Sequence, residues 1–300
     1  MKRFTTRDVI PVAVPYRLDL TVDALRRLAA NVVDVVGSDG AFYRALPSGS
    51  GLALVRVTQH DDASLEVQTT ARNSRALLPI VERMLGTHAD LREWERRVKT
   101  IPWLARLARE CRGVHPPRYA SLFEACAHAI VFQQISIHAA ASIMRRLVDA
   151  IGEPCESEAA QVVAFPRPGA LLAAREDRLR AVGLSANKVA HLRSVAAAIE
   201  EGEIREDEID ALPTSEAAER LVAIRGIGPW SAAVVLLRGF GRLDTFPLRD
   251  SGVARTIKLL SGDPEIDVDA LLEHLGPARG MLYYHLLLGR IRNLVPQPGD

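Results

Sequence analysis

The chain has 300 residues, 48% of them hydrophobic and 25% charged, which suits a globular protein with room for two cores and excludes a disordered or fibrous chain. Its formal net charge is only +1, from 38 Lys+Arg against 37 Asp+Glu, so the overall basicity of many nucleic-acid binders is missing. No run approaches the ~18 apolar residues of a membrane span, and Met1-Lys2-Arg3-Phe4-Thr5 lacks the apolar core of a secretory signal, so a cytoplasmic protein with no membrane partner is expected.

Residues 10–70 favour β structure. Val12-Ala13-Val14, 32–36, 52–57 (L-A-L-V-R-V) and 65–69 are β-branched or alternating, which predicts strands. Leu20, Leu25 and Leu28 mark a short helix over 21–30, Ser48-Gly49-Ser50-Gly51 reads as a turn, and a helix is expected from about 73 to 85. Residues 1–88 therefore read as a small α+β domain. No site constellation occurs in it, so it is expected to act as a scaffold.

From residue 89 strand signals nearly vanish. Stretches 91–99, 103–109, 122–135 and 139–151 carry apolar residues at i, i+3/i+4, punctuated by Pro102, Pro116-Pro117 and Gly152. Further helices are expected at 168–174, 178–182, 185–200, 214–224 and 279–292, with Gly183 and Gly226 placed just past helix ends, where a left-handed residue is wanted. Residues 89–300 thus read as an all-helical region, and the chain as mainly α. The acids clustered in 200–210 mark a solvated loop and helix. Cys111, Cys126 and Cys155 are too few and too scattered for a disulfide framework or a four-thiolate metal site, so structural thiols, no metal and no cofactor are expected.

Three local patterns carry chemistry. Gln133 and Gln134 interrupt the apolar run 130–135, and buried amides there would have to bond a neighbouring loop. Gly183-Leu184-Ser185-Ala186-Asn187-Lys188 is either a phosphate-side turn, with Ser185 as cap and Lys188 one turn in, or a solvated helix start. The third pattern lies in 221–255. Leu221, Ile224 and Ile227 lead into Gly226-Ile227-Gly228, and Pro229 opens a second apolar run over 232–237, so the segment reads helix, tight turn, helix. Such a turn presents bare backbone N–H groups that attract a phosphate without a lysine. Here charge is uneven, with Arg225, Arg238, Arg242, Arg249 and Arg255 against Asp244 and Asp250. Taken alone, Asp250 suits a helix N-cap.

The Ile-Arg-Gly-Ile-Gly-Pro-Trp-Ser-Ala hairpin, followed by a loop with Gly and Pro and then an aspartate, resembles the helix-hairpin-helix, Gly/Pro, Asp superfamily of DNA base-excision glycosylases. Within it, the sequence is similar to the bacterial 3-methyladenine DNA glycosylase II branch. That resemblance implies a helical bundle behind an N-terminal domain laid out like the TATA-binding protein. It implies a monomer that acts on double-stranded DNA containing alkylated bases and hydrolyses out alkylated purines of the 3-methyladenine and 7-methylguanine type.

The resemblance also implies roles. Asp250, 20 positions beyond Trp230, matches the carboxylate that faces the oxocarbenium-like sugar. Trp230 matches the base-stacking tryptophan and stands where bifunctional members carry a Schiff-base lysine, which makes this chain monofunctional. Gln134 matches the side chain that fills the gap left by a flipped nucleotide, with Gln133 beside it. Arg225, Gly226, Ile227, Gly228 and Ser231, with Lys188, form the expected phosphate-binding set, and Asp244 is expected to support the loop. Val234 and Leu287 fall where the family has pocket aromatics, and Ala24 replaces another, so a less aromatic pocket is expected. His285 either faces that pocket or is a hydrogen-bonded core histidine. Residues 280–300 hold no cysteine for the iron–sulfur loop of the endonuclease III branch. The rival readings are a non-catalytic helix-hairpin-helix DNA-binding protein and a related glycosylase for oxidised or mismatched bases.

Overall fold

The computed structural model describes residues 3–248 and 251–294. Strands β1 (Thr6–Pro11), β2 (Val35–Val36), β3 (Phe42–Ser48), β4 (Gly51–Asp61) and β5 (Ser64–Thr69) form one antiparallel sheet of order β1-β5-β4-β3-β2. Helix α1 (Leu18–Arg26) lies between β1 and β2 in the chain, and α2 (Leu78–Leu85) follows β5. The first strand lies ahead of the expected Val12-Ala13-Val14. Strand pairing begins where Thr6 meets Thr69 and ends where Pro11 meets Ser64, and beyond Pro11 the chain turns away through Pro15 toward α1.

Strand β3 carries no strand signal in the sequence for a physical reason: both of its faces are covered. Phe42 and Leu46 join the core on one face, Tyr43 and Ala45 join another core on the opposite face, and no polar alternation survives. It also carries a charge. Arg44, 2% exposed, pairs with the buried Asp34 and with the buried Glu124 at 2.5 Å each. A buried cation with two carboxylate partners ties the sheet to the helical part, because losing one partner would strand the other charge in low dielectric.

The helical part comprises α3 (Arg92–Val98), α4 (Pro102–Glu110), α5 (Leu122–Val131), α6 (Ile137–Ile151), α7 (Pro168–Ala173), α8 (Glu176–Ala181), α9 (Ala186–Glu200), α10 (Glu206–Ala211), α11 (Thr214–Val222), α12 (Pro229–Val235), α13 (Ser251–Ser261), α14 (Val268–Leu275) and α15 (Gly280–Ile291). It is not wholly helical. Strands β6 (Glu153–Glu156) and β7 (Gln161–Ala164) form a hairpin whose Cys155, Ala160, Val162 and Ala164 pack with Tyr43, Ala45 and Leu54. These short strands cover the back of the large sheet, and only four residues apiece leave little periodicity to read.

Two cores draw on residues from both sides of position 88. Leu20 and Ala24 of α1 pack with Trp94, Leu104, Leu282 and Leu286. Leu46, Val55 and Leu65 share another with Phe123, Ala127 and Val235. Arg238 reinforces the junction. It lies in a single turn of π-helix, Leu236–Phe240, that prolongs α12, and its guanidinium donates to the carbonyls of Ala24 at 2.7 Å and Leu25 at 2.9 Å. These are orphan carbonyls at the end of α1, so a charge counted in the sequence as part of a basic stretch is fully buried and serves packing. All three cysteines are buried, and burial pushes the Cys111 and Cys126 thiols up to about 12.

Candidate nucleic-acid interface

The hairpin forms where the sequence places it. Helix α11 ends at Val222, Gly226 takes φ +95°, and α12 starts at Pro229 with Gly228 as its N-cap. The two glycines differ in what they do. At Gly226 a Cβ would meet the His191 side chain at 2.4 Å, so close packing and the left-handed backbone both demand glycine. Gly228 has φ −90°, open to any residue, and a Cβ there would touch nothing within 4 Å. No side chain caps α12, so the positive end of its dipole is left for an acceptor from outside.

Arg225 is exposed beside this corner, and Ile227 is buried at 3% exposure, which anchors the turn. Ser231 is redirected. Only 1% exposed, its hydroxyl accepts from Gln133 Nε2 at 2.7 Å, and the same Nε2 donates to the Gly226 carbonyl at 3.0 Å. Gln133 therefore bonds a neighbouring loop, as a half-buried amide must. Gln134 behaves differently. It is exposed and holds φ +58°, a left-handed conformation unusual outside glycine. Helix α5 stops at Val131, short of the expected residue 135, and Ser136 caps α6 by accepting from Ala139 N at 3.2 Å. The Gln133–Gln134 segment is thus a projecting turn between two helices, followed by the exposed Ile135.

Lys188 is also redirected. Its ammonium donates to the carbonyls of Val131 at 2.7 Å and Gln133 at 2.9 Å, and burial lowers its pKa. Ser185 caps α9, accepting from Lys188 N at 3.3 Å. The geometry brings together the hairpin, the glutamine turn and the start of α9.

Trp230 is half-buried against the core, while Val234 and Leu287 are buried at 2% and 9% exposure. Asp244 is exposed, and Asp250 lies outside the described residues, directly ahead of α13. His285 is a core histidine: its Nδ1–H donates to the Met281 carbonyl at 2.8 Å, its ring lies tilted against Trp94 with centroids 4.5 Å apart, and burial pushes its pKa down to about 4. The cavity it lines, of about 770 Å³ between α3, α4 and residues 13–15, contains none of the other expected site residues.

One contact leaves no signal in the sequence. Arg27, 8% exposed and left-handed at φ 62°, sets its guanidinium 4.5 Å over the Phe132 ring and donates to Tyr283 Oη at 2.9 Å. It braces the residue that precedes the glutamine turn. In the sequence it was hidden inside the helix expected over 21–30, which ends at Arg26. Among the described residues, no group of three His, Cys, Asp or Glu side chains is placed to hold a metal ion.

Residues 127–277 match the HhH-GPD superfamily base excision DNA repair protein family, and the chain belongs to it. The hairpin, the glutamine turn and the loop leading to Asp250 all fall within that span. The chain is 28% identical over 171 residues to the DNA-3-methyladenine glycosylase of Bacillus subtilis, covering 57% of this chain and 56% of that protein. It spans about half the length of the curated relatives it matches. Among solved structures, the 3-methyladenine DNA-glycosylase from Archaeoglobus fulgidus superposes with a TM-score of 0.80 at 25% identity, covering 96% of this chain and 100% of that one. The 3-methyladenine DNA glycosylase of Schizosaccharomyces pombe, solved in complex with abasic DNA, gives 0.55 at 25% identity over 65% of this chain and 96% of that one.

Proposed function

We propose that this protein is a monofunctional DNA glycosylase that flips alkylated purines out of duplex DNA and hydrolyses their N-glycosidic bond. The observation that carries the reading is the open corner at Gly228, joined through Gln133 to an exposed left-handed turn at Gln134. One element grips a phosphate through backbone N–H groups, and the other enters the stack beside it. The relatives' names supply the substrate class, 3-methyladenine and its like.

The chemistry asks little of the protein beyond placement and charge. A purine alkylated at a ring nitrogen carries positive charge in the duplex, so it leaves as a neutral base when the glycosidic electron pair departs with it. The sugar is left oxocarbenium-like, water adds its oxygen to the anomeric carbon, and the released proton passes to a carboxylate or solvent. Asp250 supplies that negative charge, and Trp230 offers the stacking face for an electron-poor base. With tryptophan at 230, no amine stands there to form a Schiff base.

Asp250→Asn tests the reading. Asparagine caps a helix nearly as well as aspartate, so thermal stability should hold, while single-turnover release of 3-methyladenine or 7-methylguanine from alkylated duplex should fall by about 10²–10³. Near-normal release by the variant removes Asp250 from the mechanism. A borohydride-trapped complex with the wild type overturns the monofunctional assignment.

A further inference from the structure

The end of α5 poses an electrostatic problem. Its last carbonyls lie at the negative end of the helix dipole, and the chain immediately enters a left-handed residue that is not glycine, Gln134 at φ +58°. Backbone strain of this kind persists only where the surroundings over-determine it. Two contacts do so here. The Gln133 side chain is tied to the hairpin at Gly226 and Ser231. In addition, Lys188 reaches from the first turn of α9 to the carbonyls of Val131 and Gln133.

We infer that Lys188 is a positioning residue that holds the Gln133–Gln134 turn in its projecting conformation, and that it acts on base flipping through that turn instead of through a DNA phosphate. The inference rests on the reading of Gln134 as the side chain that fills the vacated stack. An ammonium bonded to two carbonyls has two of its three donors committed inside the protein. Both carbonyls belong to the segment that must stay rigid while a nucleotide is extruded. Because Gln133 connects the same turn to the hairpin, the grip and the inserted residue move as one body. A base displaced by the turn is then displaced at a fixed distance from the gripped phosphate.

Lys188→Met keeps an unbranched stem one atom shorter and removes the donors; Lys188→Arg keeps donors. Hydrogen exchange of amides 132–136 in free protein reads the clamp without any catalysis. The methionine variant should exchange faster there, with the arginine variant close to wild type. Single-turnover excision from a well-paired lesion should fall by roughly tenfold in Lys188→Met and far less when the same lesion sits in a mismatch, where extrusion is easier. Its affinity for undamaged duplex, and the salt dependence of that affinity, should not change.

Unchanged exchange at 132–136 overturns the clamp. A uniform loss of duplex affinity with a salt slope shallower by about one identifies Lys188 as a phosphate contact instead. Equal losses of excision in both lesion contexts assign it a purely structural part. If Lys188→Met melts markedly lower, Lys188→Gln, which stays polar but loses the charge and the reach to both carbonyls, takes its place in every arm. Wild-type protein that excises no lesion in either context defeats the glycosylase reading, while the exchange result still decides the clamp.

Discussion

Two turns in this protein follow nearly the same backbone path and are finished differently. Between α8 and α9, Gly183 at φ +102° precedes the buried Leu184 and an extended N-cap, Ser185 at φ −70°, ψ 158°. Between α11 and α12, Gly226 at φ +95° precedes the buried Ile227 and an extended N-cap, Gly228 at φ −90°, ψ 178°. The first turn satisfies itself: the Ser185 hydroxyl accepts from the helix, and Lys188 one turn later points into the protein. The second has no side-chain cap, and open space lies over Gly228. A shared conformation therefore does not make a shared site. What separates a structural turn from a gripping one is whether its helix-end N–H groups already have partners.

The largest effect expected from this comparison is at Gly226. An alanine there must adopt a left-handed backbone and displace His191, whose ring carbon would lie 2.4 Å from the new methyl. Strain and overpacking together should cost on the order of 3 kcal/mol, read as a lowered urea midpoint. The same change at Gly183, φ +102°, meets the flexible end of Arg146 at 2.9 Å and Ile143 Cγ1 at 3.2 Å, side-chain contacts that can shift by a few tenths of an ångström. The conformational cost of about 1–2 kcal/mol dominates there. Equal losses at the two glycines would mean that His191 yields as readily as Arg146 does.

A smaller and different effect is expected at Gly228. Its φ of −90° suits any residue and nothing stands within 4 Å, so Gly228→Val should change stability by less than about 1 kcal/mol. Binding should suffer instead. Side-chain bulk over the bare N–H groups should weaken damaged and undamaged duplex alike, by roughly tenfold, since a backbone grip carries no sequence information. Titrations of both duplexes at several salt concentrations check this, and unchanged affinity would leave the open corner without a ligand.

What was legible in the sequence follows the same line. Gly226, Pro229 and the capping residue Ser185 announced themselves because their roles are local: a left-handed angle, a first helical position, an N-cap. The structure adds what depends on distant partners. Strand β3 was invisible because the β6–β7 hairpin covers one of its faces, while the other carries a buried arginine where polar alternation would be sought. The sequence overextends helix α5 because Ile130, Val131, Phe132 and Ile135 keep an apolar rhythm through a turn that the Lys188 and Gln133 contacts enforce. Lys188 itself looked like a phosphate ligand, since no sequence rule connects it to carbonyls 55 and 57 positions away. Asp250 lies outside the described residues, and its place in the site is what the family resemblance implies, through its spacing from Trp230.

The smallest expected effect is at Ser185, and it separates the two turns most cleanly. If this turn is structural, Ser185→Ala removes the one side-chain acceptor for the first-turn N–H of α9 and should cost about 1 kcal/mol, with duplex affinity unchanged. Ser185→Gly should cost only a few tenths of a kcal/mol, because a glycine cap lets water reach the same N–H group. The glycine variant also reproduces, residue for residue, the G-h-G pattern of the second hairpin. Its behaviour on DNA thus asks whether an open cap is sufficient for a grip. With Lys188 still directed at Val131 and Gln133, Ser185→Gly should gain no affinity, because the neighbouring cation remains turned inward. Tighter, more salt-sensitive binding by Ser185→Gly would show that capping alone distinguishes the two turns. Weaker binding of all duplexes by both variants would show that the first turn was gripping phosphate from the start.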